Sequence, residues 1–330
     1  MKQSVRWISN IQWGVLAIAL CSVMFATSSC NSDDEDAELS YQTAENWQFS
    51  NKVTFSKTGN GNITKFLALM PIPQSNIYQT VENLTYNGGE VMTDKNYGNK
   101  ALYVGTEDFP STGLTLETLF DVHTNKVQID VSKIKDIKPY DPNSEPYKRY
   151  LGDRGEYIVT SNPYIVRTGD ELWRVSSNTL DYARRCYEFV ATQFRYIHGS
   201  WRTLEQILKT GGGECGDFST VVVNLLRYKG IPSRHNICLT LTGGYHVWVD
   251  FYLEGYGWIP LDATYKNSDP KGDYFGSYDG KCIIVQQDLG YDLGLEIQPT
   301  FLQTYYYHFC CEDGDCDINA KHTHFASRPL

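Results

Sequence analysis

The sequence predicts an α+β protein in which an antiparallel β-sandwich comes first, helices follow, and a second antiparallel sheet closes the fold. From about residue 47 to residue 167, short apolar stretches such as Ile63 to Met70, Ala101 to Val104 and Val127 to Val131 alternate with turn signals at Asn87-Gly88-Gly89, Asn96-Tyr97-Gly98 and Pro142-Asn143. Strands at that spacing, each with one apolar face to bury, read as a sandwich. After Arg167 the apolar period lengthens to that of helices, and after Pro232 it shortens again to that of strands.

The helical stretch resolves into three elements. Asn178 is placed to cap a helix carrying Leu180, Ala183, Tyr187, Val190 and Phe194, and Thr203 with Gln206 fits a capping box ahead of Leu204, Ile207 and Leu208. A third helix opens at Gly211-Gly212-Gly213-Glu214-Cys215, buries Val221, Val222, Leu225 and Leu226, and stops at Gly230-Ile231-Pro232. Strands are expected over Arg234 to Thr242, Tyr245 to Leu253, Trp258 to Leu261 and Cys282 to Gln286. The resulting division is a leader over 1–29, an acidic tether over 30–45, the sandwich over 46–167, a second domain over 168–300 and a tail containing cysteine and histidine over 301–330. No internal repeat is visible.

The start of the chain carries an address. Lys2 and Arg6 precede an apolar run from Trp13 to Ala26, too short for a stable membrane span, and Thr27, Ser28 and Ser29 then lead to Cys30. That pattern is an export signal. Its cysteine after small residues resembles the lipobox of bacterial lipoproteins, which implies a lipid on Cys30 that anchors the protein to the membrane of the cell envelope; Thr27 departs from the aliphatic residue usual there. Asp33, Asp34, Glu35, Asp36 and Glu38 form a like-charge block that resists packing, and a serine followed by acids resembles the surface-export signal of Bacteroidetes-type lipoproteins. The formal charge of −10 leaves nucleic acid an unexpected partner. In an oxidising compartment Cys186, Cys238, Cys282, Cys310, Cys311 and Cys316 are available to pair.

Chemistry concentrates in the second domain. A thiol in the first turn of a helix lies where unpaired backbone N–H groups and the macrodipole favour its anion, and Cys215 has that position. Gly213 and Gly216 beside it leave room for a carbonyl carbon to approach. The thiol still needs a proton acceptor. His246 enters a strand on which His246, Trp248 and Asp250 share a face. Asp250 lies four strand residues away, ~13 Å, beyond hydrogen-bond reach. Asp262 lies across a hairpin turning through Glu254, Gly255, Tyr256 and Gly257, and there loop parity decides the face. An even loop turns Asp262 away, whereas an odd loop sets it opposite Trp248, diagonal to His246. The odd loop is expected.

Gly213-Glu214-Cys215-Gly216-Asp217-Phe218-Ser219, Leu225-Leu226-Arg227, Gly230-Ile231-Pro232-Ser233-Arg234, His246-Val247-Trp248 and Gly257-Trp258-Ile259-Pro260-Leu261-Asp262 together resemble the transglutaminase-like superfamily. The resemblance implies a papain-like core with Cys215 as nucleophile, His246 as general base and acid, and Asp262 as its orienting partner. It also implies a second oxyanion donor upstream of the nucleophile, for which Tyr196, Trp201 and Gln206 qualify, Trp201 ranking first. The first oxyanion donor is the Cys215 N–H. Asp217 suits the helix N-terminus rather than catalysis.

Other signals carry less. Gly211 to Gly213 lacks the Lys-Ser/Thr ending of a phosphate loop, so no nucleotide is expected. Asp313, Asp315 and Asp317 imitate a calcium loop, but Ile318 occupies the position that needs glycine. Cys310, Cys311, Cys316, His322 and His324 are read as disulfide or tail residues rather than zinc ligands; no metal and no cofactor are expected. The function expected is an exported, lipid-anchored thiol enzyme that cleaves or transfers an amide or peptide acyl group through an acyl-enzyme, hydrolysis favoured. The alternatives are a protein-glutamine amine transferase and a non-catalytic cell-surface binding module with a vestigial triad.

Overall fold

The computed structural model describes residues 39–199, 201–240 and 244–327. The leader, Cys30 and the acidic segment through Glu38 lie outside the described residues. The first half contains β1 (Leu39–Thr58), β2 (Asn62–Ile72), β3 (Gln79–Asn87), β4 (Glu90–Thr93), β5 (Lys100–Thr106) and β6 (Leu114–Ile129). Next come α1 (Glu145–Arg149), α2 (Pro163–Arg174), α3 (Thr179–Gln193), β7 (Arg195–Tyr196), α4 (Leu204–Thr210), β8 (Gly212–Gly213) and α5 (Cys215–Tyr228). The chain ends through β9 (Ser233–Thr240), β10 (Tyr245–Leu253), β11 (Gly257–Leu261), α6 (Ala263–Ser268), β12 (Ser277–Tyr278), β13 (Cys282–Gln287), β14 (Tyr306–Glu312) and β15 (Asp317–Ser327). The fold is α+β with antiparallel main sheets, as the sequence predicts.

Two sheets make the sandwich. In one, β6 pairs with β1 and β1 with β15, while β3 and β12 share the outer edge of β6; in the other the order is β14-β2-β5-β4. Along β6, Leu116, Thr118, Phe120, Val122, Thr124, Val127 and Ile129 are buried and alternate with more exposed residues. Leu116 joins Val53, Phe55, Phe66, Met70 and Leu102 between the sheets, whereas Phe120, Val122, Val127 and Ile129 join the core of the second half. One long strand thus serves both cores.

Residues 301–330, read as a tail, instead supply two strands. β14 pairs with β2 from Tyr306↔Leu69 to Glu312↔Asn62, and β15 pairs with β1 from Gln48↔Ser327 to Thr58↔Asp317. β14 is at most half-buried throughout, so it lacks the strong alternation that marks a strand in sequence. A Cys311–Cys316 disulfide closes the connection between them. Cys186, Cys238 and Cys282 are buried and unpaired, and Cys310 is exposed and unpaired, so one pair forms from the six available cysteines. At the other end β1 begins at Leu39 and pairs with Ile129, so residues 39–45 are strand rather than tether. Residues 163–174, divided by the expected boundary at 167, form α2, capped by Asn162 with a proline in its first turn.

The second half follows the predicted order of helices and strands. Asn178 caps α3, and Thr203 with Gln206 forms the capping box of α4. α5 is buried along nearly its whole length, packed on the sheet β11-β10-β9-β13 and against α2 and α3. The free edge of β13 is satisfied by amide side chains from the sandwich. Gln79 donates to the Ile284 carbonyl at 2.9 Å and accepts from its N–H at 2.7 Å, and Asn99 does the same for Gln287 at 2.9 Å each.

A buried ion pair fixes α5 on this sheet. Arg227 bonds Asp288, donates to the Ser233 carbonyl through Nε and Nη2, and reaches the Gly152 carbonyl at 2.6 Å. Asp288 also meets His235 Nδ1 at 3.1 Å. Burial favours the neutral acid, but Arg227 and His235 prevail and hold the Asp288 carboxyl far below the ordinary range. Removing that charge strands a buried guanidinium: Asp288→Asn should lose roughly 3 to 5 kcal/mol of stability, read from urea unfolding midpoints.

Candidate active site

The thiol expected to be the nucleophile stands where a helix starts. Glu214 is the N-cap of α5 and Cys215 its first residue, so the Cys215 N–H has no acceptor within the helix. The short parallel pair of β7 and β8 holds the approach, Tyr196 lying opposite Gly213. Asp217 accepts from the Glu214 N–H at 2.9 Å, the Arg202 N–H at 2.9 Å and the Arg202 guanidinium at 2.8 Å. Burial pushes its carboxyl above the ordinary aspartate range against the pull of these donors. Its work is to lock the loop before α4 onto the start of α5.

His246 and Asp262, the expected base and its orienter, meet through the β10–β11 hairpin. Leu253 pairs with Gly257 across a three-residue loop, Glu254, Gly255 and Tyr256, and Gly255 and Gly257 have φ of +88° and +86°. The odd loop is present, and glycine supplies its left-handed positions. Continuing that register sets Asp262 opposite Trp248, diagonal to His246. Asp262 Oδ2 lies 2.5 Å from His246 Nε2, while Oδ1 accepts from the Thr264 and Tyr265 N–H groups at 3.0 and 2.9 Å and caps α6. The carboxylate is thus held from behind by the backbone. Tyr265 stacks on the imidazole with centroids 4.5 Å apart and planes 9° from parallel.

His246 is buried, which alone would push its pKa down. The charge and hydrogen bond of Asp262 outweigh that burial, the nearby Cys215 adds to them, and the imidazole is held well above the ordinary histidine range. With Nε2 given to Asp262, Nδ1 is the nitrogen left for the sulfur. A thiol, an imidazole and a carboxylate in that relay can generate a nucleophile and return a proton to a leaving group.

Asp250, set aside on distance, is committed elsewhere: it accepts from the Tyr78 hydroxyl at 2.5 Å and pairs with Arg234 at 3.0 Å. Of the oxyanion candidates, Gln206 is spent on the cap of α4, where its Oε1 accepts from the Thr203 N–H at 3.0 Å. Trp201, ranked first, stacks on Phe301 at 4.5 Å, and its indole N–H points to Thr220 Oγ1 at 3.4 Å. Its N–H is thus turned to a side chain of α5. Gly216 is needed for that packing, because a Cβ there would meet the Trp201 ring at 2.6 Å; a Cβ on Gly213 would strike Asp217 at 2.1 Å. Both glycines thus admit close protein neighbours, and Gly216 also lines a cavity beside Cys215. Tyr196 remains the candidate: it is 43% exposed, and burial, followed by the nearby Cys215 and Glu214, raises its phenol.

A clasp not foreseen in the sequence joins the segments that carry Cys215 and His246. Tyr245, just before His246, donates its hydroxyl to Glu214, just before Cys215, at 2.6 Å. The second Glu214 oxygen accepts from the Gly199 N–H at 2.9 Å. The sequence offered one signal, a tyrosine and a glutamate each adjacent to a catalytic residue, but nothing local pairs them.

Residues 167–263 match the profile of the Transglutaminase-like superfamily. An uncharacterized protein of Haemophilus influenzae is 27% identical over 241 residues, covering 59% of this chain and 62% of that one; the chain thus spans under two thirds of that curated relative. Among solved structures, a candidate cysteine protease from Cytophaga hutchinsonii shares the fold at a TM-score of 0.58, with 14% identity over 86% of this chain and 93% of that one. The periplasmic domain of TgpA from Pseudomonas aeruginosa aligns more loosely, with a TM-score of 0.37 and 14% identity over 70% of this chain and 91% of that one. Residues 167–263 are therefore a transglutaminase-like superfamily domain, set in an α+β chain with a papain-like core.

Proposed function

We propose that this chain is an exported thiol enzyme that cleaves an amide or peptide bond by acyl-enzyme chemistry. The observation that carries the reading is the 2.5 Å contact of His246 Nε2 with Asp262 Oδ2, made by an imidazole whose pKa is raised first by Asp262 and further by the nearby Cys215 at the start of α5. Cys215 Sγ attacks the substrate carbonyl carbon, and the resulting oxyanion is received by the Cys215 N–H and, in this reading, the Tyr196 hydroxyl. His246 gives its proton to the departing amine, leaving a thioester. Water, deprotonated by His246, then attacks the thioester carbon and releases the acid with Cys215 as leaving group. An amine in place of water would give transfer instead; mass spectrometry of peptide products with and without an added amine separates the two. Export and a lipid on Cys30 belong to the same proposal, and the Cys311–Cys316 disulfide supports an oxidising compartment.

A thiol-directed probe at neutral pH should label Cys215, located by peptide mapping, with exposed Cys310 as an internal reference. His246→Ala should slow labelling at Cys215 by about tenfold or more relative to Cys310. Equal labelling with and without the imidazole would sink the reading.

The raised pKa of His246 places the loss of its proton, and so the alkaline fall in kcat, well above pH 6.5. Asp262→Asn keeps an acceptor for the α6 cap but removes the charge that raises the imidazole. Burial then dominates, so the alkaline limb should move to lower pH and kcat should drop about 10²-fold or more.

Tyr245 acts through its neighbours. Tyr245→Phe removes the clasp to Glu214 while keeping the ring, and should lower kcat by about tenfold with little change in KM and in the unfolding midpoint. A parallel loss of stability would mark the clasp as structural alone.

A further inference from the structure

An open cleft of about 530 Å³ lies between the β4–β5 connection, α1 and the turn that follows α1. Lys95, Lys148, Arg149 and Arg154 line it, and Glu145 is the only acid that does so among the described residues. Four cations against one acid leave an excess of positive charge, gathered from three segments of a chain whose formal charge is −10. The cleft is remote from the candidate active site. Arg227, in the last turn of α5, donates to the Gly152 carbonyl at 2.6 Å, two residues before Arg154, so the cleft lies toward the end of the helix away from Cys215, ~18 Å along its axis. We propose that this cleft binds a phosphate monoester group, with Arg154 and Lys148 as its principal donors.

Arg154 is prearranged for an anion. Its guanidinium lies over the Tyr97 ring at 5.2 Å, Nε donates to the Tyr97 hydroxyl, and Nη1 donates to the Asp153 carbonyl at 2.8 Å, while Nη2 has no partner among the described residues. Tyr97 is buried and stacked on Tyr150 at 5.3 Å, the residue that caps the C-terminus of α1. One aromatic pair thus fixes both the arginine and the helix that carries Lys148 and Arg149. The carboxylates nearby are engaged elsewhere. Asp153 accepts from the Thr160 N–H and hydroxyl at 3.0 and 2.8 Å, and Glu145 pairs with Arg149 at 2.9 Å. Lys95 has a 3.9 Å contact with Asp292, and an ion pair so exposed neutralises little. Lys148 is exposed and has no ion-pair partner among the described residues. Like charges gathered in one cleft repel one another, and a bound anion relieves that repulsion. A phosphate monoester carries up to two charges on three free oxygens, so it takes a guanidinium N–H and an ammonium together and offsets more of the excess than a single carboxylate does. The group belongs either to a soluble ester or to a lipid headgroup.

Calorimetric titration of the full chain with inorganic phosphate at low ionic strength should show saturable binding that added sodium chloride weakens. Lys148→Gln should weaken it about fivefold, and Lys148→Gln combined with Arg154→Gln should abolish it. Thiol labelling at Cys215 should be unchanged in both, because neither residue lines the cavities beside Cys215 and His246. The single variant alters an exposed side chain that holds nothing in the fold, and unfolding midpoints show whether the double variant is folded. Vesicles separate the two sources. Phosphatidylcholine vesicles carrying phosphatidate should retain more of the chain than those carrying as much phosphatidylserine, through these two residues, if a lipid headgroup is the ligand. Phosphate binding with no gain in retention from either lipid assigns a soluble ester. No saturable phosphate binding, binding that survives both substitutions in folded protein, or an equal gain in retention from the two lipids overturns the proposal.

Discussion

The antiparallel register of β10 on β11 is the constraint on which the site depends. Side chains on adjacent strands share a face only when the residues between them have the right parity, and the three-residue loop at Glu254 to Tyr256 provides it. One residue more or fewer would send Asp262 to the opposite face and leave His246 buried with no carboxylate. The loop in turn depends on Gly255 and Gly257, whose positive φ would strain a residue bearing a Cβ. The geometry of the candidate site therefore depends on backbone conformation at the turn that joins its two strands.

What the register places, long-range contacts hold. α5 carries the sulfur and the sheet carries the imidazole, and Arg227 joins the two through Asp288 and the Ser233 carbonyl at the far end of the helix. Near the sulfur, the Glu214–Tyr245 clasp joins the same two elements directly. The sandwich contributes as well: Gln79 and Asn99 close the edge of β13, and Tyr78 bonds Asp250 beneath β10. The first half of the chain is thus a structural wall of the sheet that bears the site.

Legibility in the sequence follows the range of the interaction. Asn178, the Thr203–Gln206 box and the bounds of β10 were readable because caps and alternation are local signals. Loop parity was readable because it needs only a count. β14 and β15 were not, since their partners lie more than two hundred residues earlier and their sides are partly exposed. α2 was hidden because its cap, Asn162-Pro163, sits in a stretch that also reads as a turn. The setting of Trp201 was unreadable for a related reason: its contacts with Phe301, with Thr220 Oγ1 and with the bare Cα of Gly216 come from distant parts of the chain.

Two buried histidines show why partners, not burial, set the chemistry. His235 on β9 and His246 on β10 lie three register positions apart, opposite Val249 and Cys238, and each meets an aspartate at hydrogen-bond distance. Burial drives both toward the neutral form. For His235 it wins and the pKa falls, because the charge of Asp288 is already engaged by the Arg227 guanidinium, which also repels an imidazolium. For His246 it loses, because Asp262 is bonded by backbone N–H groups and by no Lys or Arg among the described residues, so its charge is available to the imidazole. The same pair of residue types therefore makes a neutral, clamped imidazole in one place and, in another, an imidazole suited to the proton-carrying role proposed for it, and the difference is one arginine.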